Sequence, residues 1–259
     1  MNSDLNGKYA LVCGASQGIG AACALELATL GARVILLARN ESNLKVTVAA
    51  LPGTGHAILS ADLGDRVQLR EKISQLLTGT GPIELLVCNS GGPKGGPLTD
   101  ATEEEFIRAF EGHVLANMLL VNQLLPGMKI KKYGRVINII STTVKAPLEN
   151  LGVSNTTRGA VASWAKTLSL ELAPFGVTVN NVLPGYTKTA RLEALIESTA
   201  LRAGKPQSEI EATWKATVPS GRFGEAKEVA AAVAFLATPA AAYINGINLP
   251  VDGGRTRSL

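Results

Sequence analysis

A chain of 259 residues, 46% hydrophobic but only 4% aromatic, is long enough for one sizeable α/β core filled by Leu, Ile, Val and Ala rather than by rings. A net charge of +4 without aromatic interleaving, three cysteines without ligand spacing and only two histidines argue against a nucleic-acid surface, a disulfide scaffold and a His/Cys metal site. No charged-then-apolar leader is seen, and the longest uncharged run, Val229 to Val251, is broken by Pro239, Asn245, Gly246 and Pro250. The expectation is a cytoplasmic protein with reduced thiols, no membrane span and no metal.

Tyr9 to Val12 reads as a buried strand and Ala21 to Ala28 as a helix. Between them runs Cys13-Gly14-Ala15-Ser16-Gln17-Gly18-Ile19-Gly20. A strand, a glycine turn and a helix start bring free N–H groups and the positive end of a helix dipole to one point, a seat for phosphate or pyrophosphate. Gly14, Gly18 and Gly20 serve a tight turn, a close backbone approach to ligand and close packing of helix on strand. Gly31 ends the helix, Arg33 to Ala38 forms a second strand, and a helix begins at Asn40 and Glu41 and runs to about Leu51. His56 to Ser60 is a short strand and Asp65 to Leu77 a helix. Glu84 to Cys88 is a fourth strand, closed by Asn89-Ser90-Gly91-Gly92-Pro93.

The second half continues the rhythm. One long helix is expected from about Glu103 to Met128, then a strand at Arg135 to Ile140 and a helix at Leu151 to Leu172. Thr178 to Val182 is a sixth strand ending in Pro184-Gly185, Glu225 to Ala237 a helix, and Ile247 to Val251 the seventh strand. Alternating strands and helices with nearly continuous apolar strands predict a doubly wound parallel sheet with helices on both faces, a single-domain Rossmann fold over residues 1–259. The polar stretch at about 190–220 follows a strand's C-terminal end, where open α/β sheets bind ligands. It reads either as a substrate lid or as a surface excursion. Lys129, Lys131, Lys132 and Arg135 cluster in a helix-to-strand connection and read as a solvated turn.

The second strand ends Leu37-Ala38-Arg39, with no carboxylate before Glu41. An acidic residue there would take an adenosine ribose diol, whereas Arg39 can fork onto a 2′-phosphate. This favours NADP(H) over NAD(H); the alternative is that Arg39 is a solvated helix-start residue.

Over nearly its whole length the chain resembles the short-chain dehydrogenase/reductase family, with ketoacyl-carrier-protein reductases close among its members. The matching pieces are Gly14-(x)3-Gly18-Ile19-Gly20, Asp62-Leu63, Asn89-Ser90-Gly91, Ser141, Pro184-Gly185-Tyr186-Thr187, Arg222-Phe223-Gly224 with Glu228-Val229-Ala230, and Gly246 with Val251-Asp252-Gly253-Gly254. The resemblance implies that Asp62 and Leu63 contact the adenine. It implies that Asn89, Ser90 and Gly91 line the cofactor beside Ser16 and Gln17, and that Pro184, Gly185 and Thr187 hold the nicotinamide amide. It also implies a small carbonyl or alcohol substrate and a homo-oligomer, dimer or tetramer, built through the long helices.

The family's reaction uses a tyrosine acid, a lysine four residues later, a serine that polarises the carbonyl and an asparagine that positions a relay water. Ser141 matches the serine. Counting from it, the tyrosine position holds Ser154 and the lysine position Arg158; counting back from Leu125-Pro126-Gly127-Met128 at the end of the central helix, the asparagine position holds His113. The spacing keeps Ser154 and Arg158 on one helix face. Arg158 can donate to ribose hydroxyls but stays charged and passes no proton. Lys145, four residues beyond Ser141, and His113 are the side chains able to stand in for the tyrosine; the alternatives are a solvated loop lysine and a hydrogen-bonded helix histidine. Two functions remain open from this reading: an NADP(H)-dependent oxidoreductase with a nonstandard active site, or a nucleotide-binding sensor or subunit without catalysis.

Overall fold

Strands without polar alternation need cover on both faces, and the sheet obtains it. The computed structural model describes residues 2–258. Its strands are β1 (Tyr9–Cys13), β2 (Arg33–Ala38), β3 (Ala57–Ser60), β4 (Leu85–Cys88), β5 (Gly134–Ile139), β6 (Val177–Pro184) and β7 (Asn248–Val251). All pair in parallel, in the order β3-β2-β1-β4-β5-β6-β7. The chain therefore reverses direction across the sheet between β1 and β4, which opens a crevice at their C-terminal ends. The helices are α1 (Gly18–Thr29), α2 (Glu41–Ala49), α3 (Arg66–Thr80), α4 (Glu103–Phe110), α5 (Ala116–Lys131), α6 (Gly152–Leu172), α7 (Ala190–Ala203), α8 (Gln207–Ala216) and α9 (Ala226–Ala237).

Successive side chains of a strand point to opposite faces, so each strand feeds two cores. Ala10 and Val12 of β1 join Cys23, Leu27, Val229 and Val233 in one layer, under α1 and α9. Leu11 and Cys13 join Leu69, Ile73, Leu120 and Leu124 in the other, under α3 and α5. Each fully buried leucine or isoleucine contributes roughly 1.5–3 kcal/mol of transfer free energy. The three cysteines are free and buried. Burial pushes the Cys13 thiol up to about 12, so it packs as a small apolar group and supplies no thiolate.

Polar groups inside the sheet are satisfied in series. Asn117 of α5 donates to Asn138 Oδ1 (3.4 Å), Asn138 to Asn181 Oδ1 (2.9 Å) and Asn181 to Asn248 Oδ1 (2.8 Å). This row runs across β5, β6 and β7 and ties the central helix to the sheet.

The structure differs from the sequence reading at three points, and gives the full course of the 190–220 stretch, which the sequence reads as helical in parts. The first helix begins at Gly18, three residues before Ala21, so the last two glycines of the turn lie in its first turn. The helix expected from Glu103 to Met128 is two helices joined by a π-helical turn at Glu111–Leu115. The stretch at 190–220 folds as α7 and α8 over a small core of its own, Leu192, Ile196, Ala200, Ile210 and Phe223. Arg135 is not part of a solvated turn. It is 3% exposed, its guanidinium lies 4.0 Å from the Tyr133 ring centre, and its Nη1 donates to the Gly134 and Gly176 carbonyls. A flat cation stacked on a ring and bonded to carbonyls can be buried at the start of a strand.

Candidate active site

The crevice is framed first by the glycine turn. Gly14 has φ +60, and a Cβ there would stand 2.6 Å from Asn89 Nδ2. A Cβ on Gly20 would collide with the Gly14 carbonyl oxygen. Only glycine permits this packing. Asn89, just after β4, uses the space to donate to the Cys13 (3.3 Å) and Gly14 (3.5 Å) carbonyls, joining the ends of β1 and β4. The N-terminus of α1 has no side-chain cap at Gln17 and no acid in its first turn. Its N–H groups and dipole therefore face the crevice without an internal anion, and a dinucleotide phosphate fits there.

At one end of the crevice, Arg39 Nη1 lies 3.9 Å from Asp62 Oδ2, with both side chains exposed. The pair is too solvated to contribute much stability, and it brings together the predicted 2′-phosphate and adenine contacts from the ends of β2 and β3. Asp62 Oδ1 also accepts from Gly64 N at 2.9 Å, which shapes the loop carrying Leu63.

At the other end, Ser141 closes β5. Its Oγ accepts from Thr143 N (3.1 Å) and caps a single 3₁₀ turn, Thr142–Val144, with Lys145 next in the chain. The hydroxyl oxygen is thereby oriented while its own proton remains to donate. On α6, Arg158 Nε donates to Ser154 Oγ at 3.1 Å. Its Nη1 donates to the Ile139 (3.3 Å) and Ile140 (3.0 Å) carbonyls. These bonds fasten α6 to the strand end that carries Ser141. Burial, and then the charge of Arg191, pushes the Arg158 guanidinium down to about 10; it stays cationic at neutral pH.

His113 occupies the π-helical turn, 6% exposed, with Nδ1 2.6 Å from Ser90 Oγ. Burial, and then the charge of Arg158, pushes its imidazole down to about 3. The neutral-range titration expected of a free histidine is therefore absent, and at neutral pH the ring is a neutral hydrogen-bonding group. A π turn adds one residue to a helix and re-aims the side chain it carries, a device common at functional sites.

The loop after β6 completes the frame. Gly185 N donates to Val251 O (3.0 Å), and Thr187 is buried with its Oγ1 donating to Gly185 O (3.2 Å). Thr189 caps α7 through Leu192 N (3.3 Å), and its Cγ2 would stand 3.3 Å from a Cβ on Gly18. Arg191, not singled out from the sequence, enters from the first turn of α7 and donates from Nη2 to Pro93 O at 2.5 Å. It belongs to an amphipathic helix whose apolar face, Leu192, Ile196 and Ala200, is buried, and its one local signal is its place just after a strand end. Among the described residues, no cluster of His, Cys, Asp and Glu could hold a metal ion, and no helix is long and apolar enough to cross a membrane.

A family model described as enoyl-(acyl carrier protein) reductase matches residues 14–256. The 3-oxoacyl-[acyl-carrier-protein] reductase FabG of Vibrio cholerae is 35% identical over 253 residues, covering 97% of this chain and 98% of that protein. The chain belongs to the short-chain dehydrogenase/reductase family. Solved relatives of this fold include YwfH, an NADPH-dependent reductase involved in bacilysin biosynthesis, with TM-score 0.92, 28% identity and coverage of 97% of this chain and 99% of that one. The L-sorbose reductase of Gluconobacter frateurii, complexed with NADPH and L-sorbose, gives TM-score 0.92 and 27% identity over 100% of both chains. The assignment places the protein among the pyridine-nucleotide-dependent oxidoreductases.

Proposed function

We propose that the protein is an NADP(H)-dependent reductase of a carbonyl compound, or the reverse dehydrogenase, whose proton donor is not the family's tyrosine. The observation that carries this reading is the Arg158 assembly, with its bonds to Ser154 Oγ and to the strand end beside Ser141. Ser154 and Arg158 stand at the positions of the tyrosine and lysine, and they form one ordered unit rather than a decayed pair. The NADPH-dependent relatives and the position of Arg39 support NADP(H) over NAD(H).

A nicotinamide held in this crevice would supply or accept the hydride. Ser141 donates its hydroxyl proton toward the substrate oxygen, and the Arg158 cation stabilises negative charge developing there. With Nε on Ser154 and Nη1 on the two carbonyls, Arg158 has two Nη2 N–H groups left, and one of them reaches a ribose hydroxyl. A guanidinium does not release its proton, so the proton itself comes from another group. His113, neutral with its ring nitrogen on Ser90, can relay a proton but does not store one. Lys145, which follows the Ser141 turn in the chain, is the group to which this reading gives the proton. Thr187, Gly185 and Pro184 line the nicotinamide side, and α7 with α8 forms a lid closed by the Tyr186–Trp214 stack, ring centres 4.8 Å apart. Exposed Ile107, Phe110, Met118 and Leu170 on α4, α5 and α6 support assembly into a homo-oligomer through the long helices.

The short Ser154 side chain favours a second reading, nucleotide binding without turnover. The two separate on one assay: NADPH oxidation with activated ketones, diketones and ketoacyl thioesters. Turnover that falls in Ser141→Ala supports the reductase. Tight NADPH binding with no oxidation across the panel supports the sensor.

A further inference from the structure

Two arginines meet at the substrate end of the crevice with no acid between them. A Cβ placed on Gly92 would lie 3.2 Å from Arg191 Nη2 and 3.5 Å from Arg158 Nη2. Both guanidinium tips thus border the same small space, kept open because position 92 carries no side chain. The partners of Arg158 are Ser154 Oγ and the Ile139 and Ile140 carbonyls; that of Arg191 is the Pro93 carbonyl. All are neutral. Among the described residues neither arginine has a carboxylate within ion-pair distance, whereas the exposed Arg66 and Arg222 each have one. Arg158 Nη2 has no hydrogen-bond acceptor at all among them. Arg158 is half-buried and Arg191 reaches it from an exposed position on α7; like charges facing one space repel each other, and the buried one is poorly solvated. Burial, and then the charge of Arg191, pushes the Arg158 guanidinium down, and partial burial alone lowers that of Arg191, which agrees with the geometry. An oxyanion entering between them would remove the repulsion and take up the unused fork donors.

We infer that Arg158 and Arg191 form a carboxylate clamp, and that the substrate is a carbonyl compound carrying a carboxylate. This rests on reading the site as a reductase. The other oxyanion of suitable chemistry is a cofactor phosphate. That group already has the uncapped start of α1 to face, whereas the arginine pair borders the loop two residues past Ser90 and is fastened to the strand end carrying Ser141. Because Arg191 belongs to α7, an anion held there also fixes the lid to the reacting end of the crevice. Arg191 is a specificity residue in this scheme.

The test uses 2-oxobutyrate, acetoacetate and levulinate against their methyl esters, with NADPH, in the intact protein. The wild type is expected to prefer acids over esters in kcat/KM. Arg191→Gln reduces that preference by about 10- to 100-fold, the worth of a charged hydrogen-bonded contact. Arg191→Lys restores part of it, and Arg202→Gln, exposed farther along α7, leaves it intact. NADPH affinity is read separately by nucleotide fluorescence. If Arg191→Gln weakens NADPH and leaves the acid-over-ester ratio alone, the oxyanion is a cofactor phosphate and the clamp is overturned. Equal loss on acids and esters overturns it as well. Should no substrate turn over, calorimetric titration of the same acids and esters into the protein with NADP+ decides the clamp independently. Acid-selective binding lost in Arg191→Gln upholds it while the reductase reading fails, and absence of selectivity refutes it.

Discussion

His113 gives the most direct physical prediction, because its ionisation links the site to the stability of the fold. In the unfolded chain the imidazole titrates near its ordinary value of about 6.5. In the native protein it is held down at about 3 by burial and by the charge of Arg158. Between those two values the unfolded state binds a proton that the folded state refuses. Stability contributed by the neutral ring is therefore complete above about pH 6.5 and is lost progressively as pH falls toward 3. The slope is about 1.4 kcal/mol per pH unit, so at pH 5 the penalty is about 2 kcal/mol. The assay is urea unfolding of the wild type and His113→Asn at pH 5, 6, 7 and 8, at one protein concentration and without nucleotide. Asparagine carries no titrating group, so the wild type should lose about 2 kcal/mol more than the variant between pH 7 and pH 5. Parallel profiles for the two proteins would mean that His113 ionises as freely folded as unfolded, and the neutral-ring account of the site would fail.

Other consequences are simpler to read. Arg39→Asp removes the exposed cation at the end of β2 and adds a second carboxylate beside Asp62. NADPH affinity should fall at least about tenfold while NADH affinity holds or rises, and equal changes in both, measured by fluorescence titration, would show that Arg39 does not touch the 2′-phosphate. Ser141→Ala should lower kcat by about 10²–10³ with little change in NADPH binding; an unchanged kcat on a substrate the wild type turns over would remove Ser141 from the mechanism. Leu11→Ala, at a fully buried position in the layer under α3 and α5, should lower unfolding stability by about 2–5 kcal/mol, and a loss below 1 kcal/mol in chemical denaturation would contradict the packing described.

Much of the crevice was legible in the sequence, because its parts are local. The glycine turn announces itself by backbone demands that only glycine meets at Gly14 and Gly20. Ser154 and Arg158 fall on one helix face by spacing alone, and the structure joins them directly at 3.1 Å. Three features were not legible, each for a physical reason. The π turn at Glu111–Leu115 adds one residue to a helix whose apolar pattern continues on either side, so periodicity does not mark it. The burial of Arg135 depends on the Tyr133 ring and on the carbonyl of Gly176, the latter distant in the chain. Arg191 reaches the site only because α7 folds back over the loop after β4, a tertiary contact between residues 98 positions apart.

Hydride transfer at the proposed site is read by isotope labelling. NADPH deuterated at C4 on either face is incubated with an activated ketone, and the product is examined by mass spectrometry. The account predicts that deuterium from one face arrives at the carbinol carbon, and that transfer falls sharply in Ser141→Ala and Lys145→Met while both variants still bind NADPH. Tight NADPH binding by the wild type with no deuterium in any product would contradict it and leave a nucleotide-binding protein without turnover.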